Sequence, residues 1–150
     1  MKIHKKITIV ANLKNAATVR AITREFFSSA GFDRKWTGRL VLISEELFIN
    51  AVEYGCRPND KINIEFSQSQ DDEICFTITD AGANGITPAE LRNKIEYHGS
   101  THSPKKTSGR GLAVITHAWA DDYHIKQARN GGLAISFTKK LPSPLVSSKN

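Results

Sequence analysis

One stretch of the sequence places a carboxylate and an amide where they could act together on a ligand. In ISEELFINAVEYG, residues 43 to 55, Glu46 and Asn50 stand four positions apart within an apolar, helix-like pattern. Residues four apart lie about 40° apart around a helix, so both side chains point the same way, whereas Glu45 points about 100° away from Glu46. Carboxylate and amide oxygens suit a hard cation such as Mg²⁺ whose shell is completed by phosphate oxygens. A solvent-facing pair of polar residues is the alternative that this spacing alone leaves open.

A second candidate stands at the end of an alternating apolar segment. Asp80 closes the run ICFTITD and is followed by AGANG, which contains Gly82 and Gly85. An aspartate at a strand end can accept a hydrogen bond from the exocyclic amine of adenine, and a glycine two residues later lets a flat base approach the backbone. A plain strand-to-loop turn uses the same residue types, so this segment alone does not decide between the two.

The third candidate is a glycine-rich entry into an apolar segment. It comprises Thr107, Ser108, Gly109, Arg110, Gly111 and Leu112, and it follows Lys105 and Lys106. Glycines here expose backbone N–H groups at the positive end of a helix dipole, where phosphates bind, and the basic side chains add charge. The chain contains neither GxxxxGK[ST] nor GxGxxG, so the two common phosphate-loop spacings are excluded.

Helices and strands must hold these segments, and hydrophobic periodicity predicts both. Helical spacing predicts helices over residues 16 to 30, stopped by Gly31, and from an Asp33 N-cap to Tyr54, with Gly55 as a left-handed C-terminal residue. A short helix follows Pro88, a polar loop covers residues 98 to 110, and a third apolar helix covers residues 111 to 120. Alternation predicts a first strand over residues 3 to 11. It also predicts two hairpins, one with strands around 62 to 66 and 74 to 80 and one with strands 121 to 128 and 133 to 141.

This order of elements predicts an α+β two-layer sandwich: one mixed, mostly antiparallel sheet with helices on one face. Residues 1 to 141 would form a single domain and residues 142 to 150 a flexible tail. Trp36, Trp119 and Phe26 are expected in the core.

Composition excludes several classes of protein. The chain has 150 residues, 39% of them hydrophobic, and no apolar run approaches the roughly 20 residues that span a bilayer. Cys56 and Cys75 lack metal-ligand spacing, which favours reduced thiols in a cytoplasm. The net charge is +6, but the lysines are not gathered into one block, so direct nucleic-acid binding is not expected.

The order of the three candidate segments resembles the GHKL ATP-binding fold of histidine kinases, gyrase-type ATPases and related proteins. The first box would be Glu46 to Asn50, the second Asp80 to Gly85, and the third Gly109 to Leu112. The resemblance covers about residues 3 to 140. Within that group, the short chain and ISEELFINAVEYG look most like the bacterial anti-sigma-factor serine kinases.

The resemblance implies ATP and Mg²⁺ as cofactors and a role for each box. Asp80 and the glycines would bind the nucleotide, Asn50 would hold Mg²⁺, and Glu46 would take the proton from an incoming serine. Two features depart from the pattern. The usual DxGxG is DxGxxG here, which shifts Gly85. Lys105 and Lys106 stand about where that branch has an arginine, and lysine neutralises phosphate charge without bidentate bonding.

By this resemblance the chain is an ATP-dependent serine kinase and anti-sigma factor, a homodimer whose partners are a sigma factor and a small antagonist that it phosphorylates. An ATP-gated partner-switch module with little or no phosphoryl transfer is the alternative that the lysines favour. The catalytic domain of a sensor histidine kinase ranks lower, because no helical hairpin with a phosphoacceptor histidine precedes the first strand.

Overall fold

The computed structural model describes residues 3–98 and 118–142, and within these ranges five strands and three α-helices have defined bounds. The elements are β1 (Ile3–Val10), a 3-10 turn (Leu13–Asn15), α1 (Ala16–Ala30), α2 (Arg34–Gly55), β2 (Lys61–Gln68), β3 (Glu73–Thr79), α3 (Pro88–His98), β4 (Asp122–Gln127) and β5 (Leu133–Lys140). No helix among these residues is both long and apolar enough to cross a membrane.

The strands form one sheet in the order β1-β2-β3-β5-β4, and each of these four pairings is antiparallel. The expectation of a mixed sheet is therefore wrong for the described strands. The reason lies in the connection between β1 and β2. It contains two long helices, which carry the chain away and back, so that Lys61 begins β2 opposite Val10 at the end of β1.

One face of the sheet is apolar because residues alternate along each strand. Ile62, Ile64 and Phe66 are buried on β2, and so are their counterparts on β3 and β5. Phe66, Phe76 and Phe137 form a row with neighbouring ring centroids 5.4 Å apart. The two phenylalanines of α1, Phe26 and Phe27, pack on this row. The predicted α+β layering, with helices on one face, is confirmed.

The ends of α1 and the start of α2 follow the sequence signals. Gly31 has φ +120° and its N–H bonds back to Phe27, which ends α1 as predicted. The Asp33 carboxylate caps α2 by accepting a hydrogen bond from the Trp36 N–H. The expectation for Gly55 is wrong: it is the last helical residue of α2, not a left-handed one, and the extended Cys56 ends the helix.

The core expectation holds for one of three aromatic residues. Phe26 is buried, whereas Trp36 and Trp119 are only partly buried at the edge of the core. Both indoles flank the Arg39 guanidinium, whose carbon lies 4.8 Å from the Trp36 ring and 5.4 Å from the Trp119 ring. A charged neighbour of this kind keeps an indole at the boundary with water, and that is why the two tryptophans are not fully enclosed.

Several predictions concern residues outside the described ranges. They include six candidate site residues: Lys105, Lys106, Gly109, Arg110, Gly111 and Leu112. Nearly all of the expected polar loop, of the third apolar helix and of the C-terminal tail also lies outside these ranges. These expectations stay predictions.

Candidate functional site

A pocket lies between the C-terminal half of α2, the end of β3 and the start of α3. Its lining residues are Asn50, Tyr54, Gly55, Asp80, Gly82, Asn84, Gly85, Ile86, Leu91 and Leu133. The set combines an apolar wall with a few convergent polar groups, which is the usual character of a small-molecule site. Four residues selected from the sequence therefore come together here: Asn50, Asp80, Gly82 and Gly85.

Asp80 is the most tightly held of these residues. It directly follows β3, and its backbone N–H bonds to the carbonyl of Leu133 on β5 (3.1 Å). Its Oδ1 accepts hydrogen bonds from the backbone N–H groups of Gly82 and Leu133, both at 2.9 Å. Its Oδ2 accepts none from the described residues, so one oxygen fixes the side chain while the other stays open to a donor.

Burial makes this carboxylate responsive to a ligand. Asp80 is only 6% exposed, and desolvation raises the pKa of its carboxyl group although the N–H groups of Leu133 and Gly82 act in the opposite direction. A buried acceptor gains most from a partner that replaces its lost water. The exocyclic amine of a purine is such a partner.

The carboxylate reaches this position because Gly55 has no side chain. A Cβ built on Gly55 would lie 2.0 Å from Asp80 Oδ2 and 2.2 Å from its carboxyl carbon. Any other residue would therefore push the end of α2 away from Asp80. This steric requirement explains why the helix ends in glycine. It cannot be inferred from the sequence, because a glycine at a helix end is also the common left-handed cap.

The loop after Asp80 is tied to the same end of α2. The Ala83 N–H bonds to the Gly55 carbonyl (3.1 Å), and the Asn84 side-chain amide bonds to the Tyr54 carbonyl. Helix C-terminal carbonyls lack partners within the helix, so these contacts satisfy groups that would otherwise stay open. The loop and the helix are thereby held in one register around the pocket.

Asn50 is a buried amide on the pocket side of α2. Its residue exposure is 3%, yet its side chain makes no hydrogen bond to the described residues. An amide that lines a pocket is placed to contact a ligand or a bound ion. The amide oxygen is a suitable ligand for Mg²⁺.

Glu46 stands one helical turn before Asn50 and is not a lining residue of the pocket. Its Oε2 is buried and accepts no hydrogen bond from the residues described. Burial, followed by the Glu45 and Glu53 carboxylates, raises the pKa of Glu46 from 4.5 to about 7. A carboxylate with a pKa near neutrality is suited to take up and release a proton.

The neighbouring Glu45 has a different environment. Its carboxylate forms an ion pair with Arg20 of α1, and the Arg20 side chain is 47% exposed. Glu45 therefore links two helices. The two adjacent glutamates therefore lie on different sides of the helix, as their spacing predicted. Glu46 is on the Asn50 side and Glu45 is on the α1 side.

Other lining residues were not anticipated from the sequence. Ile86 directly follows the second candidate segment, Leu91 lies in the short helix predicted after Pro88, and Leu133 lies in a predicted strand, but periodicity does not indicate that these three side chains line a pocket. Asn130, in the turn between β4 and β5, donates a hydrogen bond to the Asp80 carbonyl (2.9 Å) although 50 positions separate them. A long-range contact of this kind cannot be read from local periodicity.

The sequence profile described as histidine kinase-like ATPase domain matches residues 9–139. No curated protein sequence matches the chain significantly. Three solved structures with similar folds are the RsbU and RsbW domains of Rv1364c from Mycobacterium tuberculosis, the mycobacterial sensor histidine kinase MprB, and the SiaB–SiaC complex from Pseudomonas aeruginosa.

The first of these has 20% identity and a TM-score of 0.65, and the match covers 95% of this chain and 34% of that one. This chain thus corresponds to about a third of the Rv1364c structure. MprB has 15% identity and a TM-score of 0.54, covering 91% and 96% of the two chains. The SiaB–SiaC match has 10% identity and a TM-score of 0.51, covering 88% of each chain.

These identities show a shared fold, and the profile match covers most of the chain. The resemblance inferred from the three boxes is confirmed at the level of the family. The chain belongs to the family of histidine kinase-like ATPase domains.

Proposed function

We propose that this chain is an ATP- and Mg²⁺-dependent serine kinase that acts as an anti-sigma factor and phosphorylates a small antagonist protein. Membership in an ATPase family implies nucleotide binding. The observation that carries the further step to a kinase is Glu46, a carboxylate with a pKa of about 7 and a buried, unpartnered oxygen one turn before Asn50.

The nucleotide assignment follows from the polar groups of the pocket. Asp80 Oδ2 would accept the exocyclic amine of adenine, with the ring between the backbone at Gly82 and the apolar residues Ile86 and Leu91. The Asn50 amide oxygen would hold Mg²⁺, which neutralises charge on the phosphate oxygens when it is bound. Lys105, Lys106, Gly109 and Arg110 are proposed to contact the phosphates.

In phosphoryl transfer the protein mainly positions the reactants and supplies a base, and it forms no covalent bond to them. The serine Oγ forms a bond to the γ-phosphorus as the bond from that phosphorus to the β,γ-bridging oxygen breaks. The serine proton passes to Glu46, and ADP leaves with the bond's electron pair. Because Glu46 must be ionised to accept the proton, transfer should accelerate as the pH rises through about 7.

The partner assignment rests on the fold comparisons together with the sequence resemblance. One similar structure joins an RsbU to an RsbW domain, and another is a complex of SiaB with SiaC. In the first, two domains belong to one protein, and in the second, two proteins are bound to each other. A sigma factor and an antagonist as partners, and a homodimer as the assembly, are our proposals for this chain.

The test is transfer of label from ATP to the small protein that co-purifies with this chain from its host. Glu46→Gln keeps the size and polarity of the side chain but removes the base, so transfer should fall by roughly 10²–10⁴. ADP binding should be retained. Glu45→Gln is the matched control, because that carboxylate pairs with Arg20. Since the Glu45 carboxylate also raises the pKa of Glu46, the comparison is made at pH 8 or above, where Glu46 is mostly ionised and Glu45→Gln should affect transfer little.

Wild-type transfer by Glu46→Gln, or no transfer by the wild-type protein, contradicts the kinase proposal. Retained ATP-dependent partner exchange in that case would identify the chain as an ATP-gated partner switch.

A further inference from the structure

The turn between β4 and β5, residues 128 to 132, packs directly against Asp80. The Asn130 Nδ2 donates to the Asp80 carbonyl (2.9 Å), and the Asn130 Oδ1 accepts from the Gly132 N–H (2.8 Å). The Gln127 Nε2 supports the turn by donating to the Gly131 carbonyl (2.8 Å). The β4–β5 turn is therefore cross-linked internally and to the end of β3 by side-chain amides.

The orientation of the Asn130 amide follows from its partners. The Asp80 carbonyl can only accept and the Gly132 N–H can only donate, so exchanging the nitrogen and oxygen of the amide would lose both bonds. The amide is thus held at both ends by fixed backbone groups. It acts as a rigid link between the turn and Asp80.

The backbones on the two sides of this link approach closely. A Cβ on Gly132 would lie 2.2 Å from the Asp80 carbonyl oxygen, and a Cβ on Gly82 would lie 2.7 Å from the Gly131 carbonyl oxygen. This contact leaves Asp80 no room to shift towards the turn.

All polar atoms of Asp80 except Oδ2 are consequently engaged. Its N–H and Oδ1 bond to Leu133, its Oδ1 also to Gly82, and its carbonyl to Asn130. A fixed carboxylate oxygen attracts an amino group and repels a carbonyl oxygen placed at the same point. The discrimination depends on the carboxylate staying in place.

We propose that Asn130 is a positioning residue that sets the preference of the pocket for a 6-amino purine over a 6-oxo purine by fixing Asp80. The inference rests on the proposed nucleotide site and extends it to a residue that does not line the pocket. Loss of the amide link lets the Asp80 backbone and carboxylate move, so a 6-oxo group is tolerated better and a 6-amino group is held less well.

The test compares binding of ADP and inosine diphosphate by isothermal titration calorimetry. The two nucleotides differ at the purine 6-position, where an oxo group replaces the amino group, and at the adjacent N1, which carries a hydrogen in the 6-oxo purine. Asn130→Ala removes both bonds of the amide. Asn130→Asp keeps the acceptor for the Gly132 N–H and replaces the donor to Asp80 with a carboxylate oxygen, which the Asp80 carbonyl repels. In both variants the ratio of the two affinities should fall by roughly two- to tenfold, the worth of one hydrogen bond. Asn63→Ala is the matched control, because it removes one side-chain bond to Thr8 on the opposite face of the sheet and should leave the ratio unchanged.

A merely structural asparagine would lower both affinities together and leave their ratio at the wild-type value, which overturns the proposal. An unchanged ratio in Asn130→Asp alone also overturns it, because the turn and not the link to Asp80 would then matter. If the wild-type protein binds neither nucleotide, the proposed function fails and this inference with it.

Discussion

Polar and charged side chains lie near both ends of helix α2, but those near the two ends differ in whether they have partners. At the N-terminal end, Asp33 caps the helix and Arg39 lies between Trp36 and Trp119. The Lys139 ammonium lies 4.0 Å from the centre of the Trp36 ring and 3.2 Å from a carboxylate oxygen of Asp121. Each of these charged groups has a partner.

The C-terminal half of α2 contains the opposite arrangement. Among the described residues, Glu46 Oε2 is buried without a partner and the Asn50 side chain lines the pocket. Asp80, which follows β3, places its Oδ2 against Gly55 at the end of this helix. An unsatisfied buried polar group costs about 1–3 kcal/mol. The unpartnered Glu46 oxygen, together with the pocket-lining Asn50 and Asp80, indicates polar atoms kept for a ligand, whereas the paired charges near the N-terminal end stabilise the fold.

The largest expected effect separates two glycines of this one helix. Gly55→Ala places a Cβ 2.0 Å from Asp80 Oδ2, so the end of α2 and Asp80 must move apart and ADP binding should be lost. Gly38→Ala is the control, since its Cβ would meet nothing within 4 Å, and in a helix interior it should stabilise the fold by about 0.5–1 kcal/mol. Calorimetric titration and thermal unfolding measure both. ADP binding of wild-type strength by Gly55→Ala contradicts the role given to this glycine.

Asn50→Ala should weaken the Mg²⁺-dependent part of ATP binding by about 10- to 100-fold, the range typical when support for a bound metal is removed. The melting temperature without nucleotide should not fall, because the substitution removes an amide that has no partner among the described residues. ATP titrations with Mg²⁺ and with EDTA provide the measurement. A large loss of melting temperature would identify Asn50 as a structural residue.

Glu46→Gln should raise the melting temperature by a few degrees at pH 8 and by less at pH 5. The pKa of Glu46 is about 7 in the folded protein against an ordinary 4.5, so the folded state favours the protonated side chain. That contribution to stability is full below pH 4.5 and is lost as the pH rises through 7. Glutamine stays neutral and avoids the loss. Equal shifts at the two pH values would show that Glu46 is not a perturbed acid.

The smallest expected effect comes from a substitution near the N-terminal end of α2, where the charged groups have partners. Arg39→Ala removes two cation–π contacts and should destabilise the fold by about 1 kcal/mol, while the affinity for ADP stays unchanged. Denaturant unfolding and ADP titration of the same preparation distinguish the two quantities. A weakened affinity for ADP would mean that the ends of α2 are coupled.

The sequence was most informative where one residue type has one physical role. Alternation along β2, β3 and β5 predicted the buried face of the sheet, and Gly31 and Asp33 predicted the helix boundaries. Glu46, Asn50 and Asp80 could be selected because their chemistry is unusual for an apolar helix or a strand end. The structure then placed Asn50 and Asp80 at one pocket.

Other features depend on contacts between distant segments. Gly55 carried a local signal for a left-handed cap, but its actual constraint comes from Asp80, which is 25 positions away. Asn130 lies between two predicted strands, and its bond to Asp80 forms only when β5 pairs with β3. The antiparallel pairing of β1 with β2 likewise depends on how two intervening helices return the chain, which periodicity does not encode.

The most direct test of a nucleotide site at the C-terminal end of α2 is calorimetric titration of ADP with Mg²⁺. The wild-type protein is compared with Asp80→Asn. The asparagine keeps the shape of the side chain but removes the charge that would accept the adenine amine. We predict one site per chain for the wild-type protein and an affinity about 10- to 100-fold weaker for the variant, as for the loss of a charge-assisted hydrogen bond. Equal affinities of the two proteins, or no binding by the wild-type protein at millimolar ADP, would contradict the assignment of this pocket.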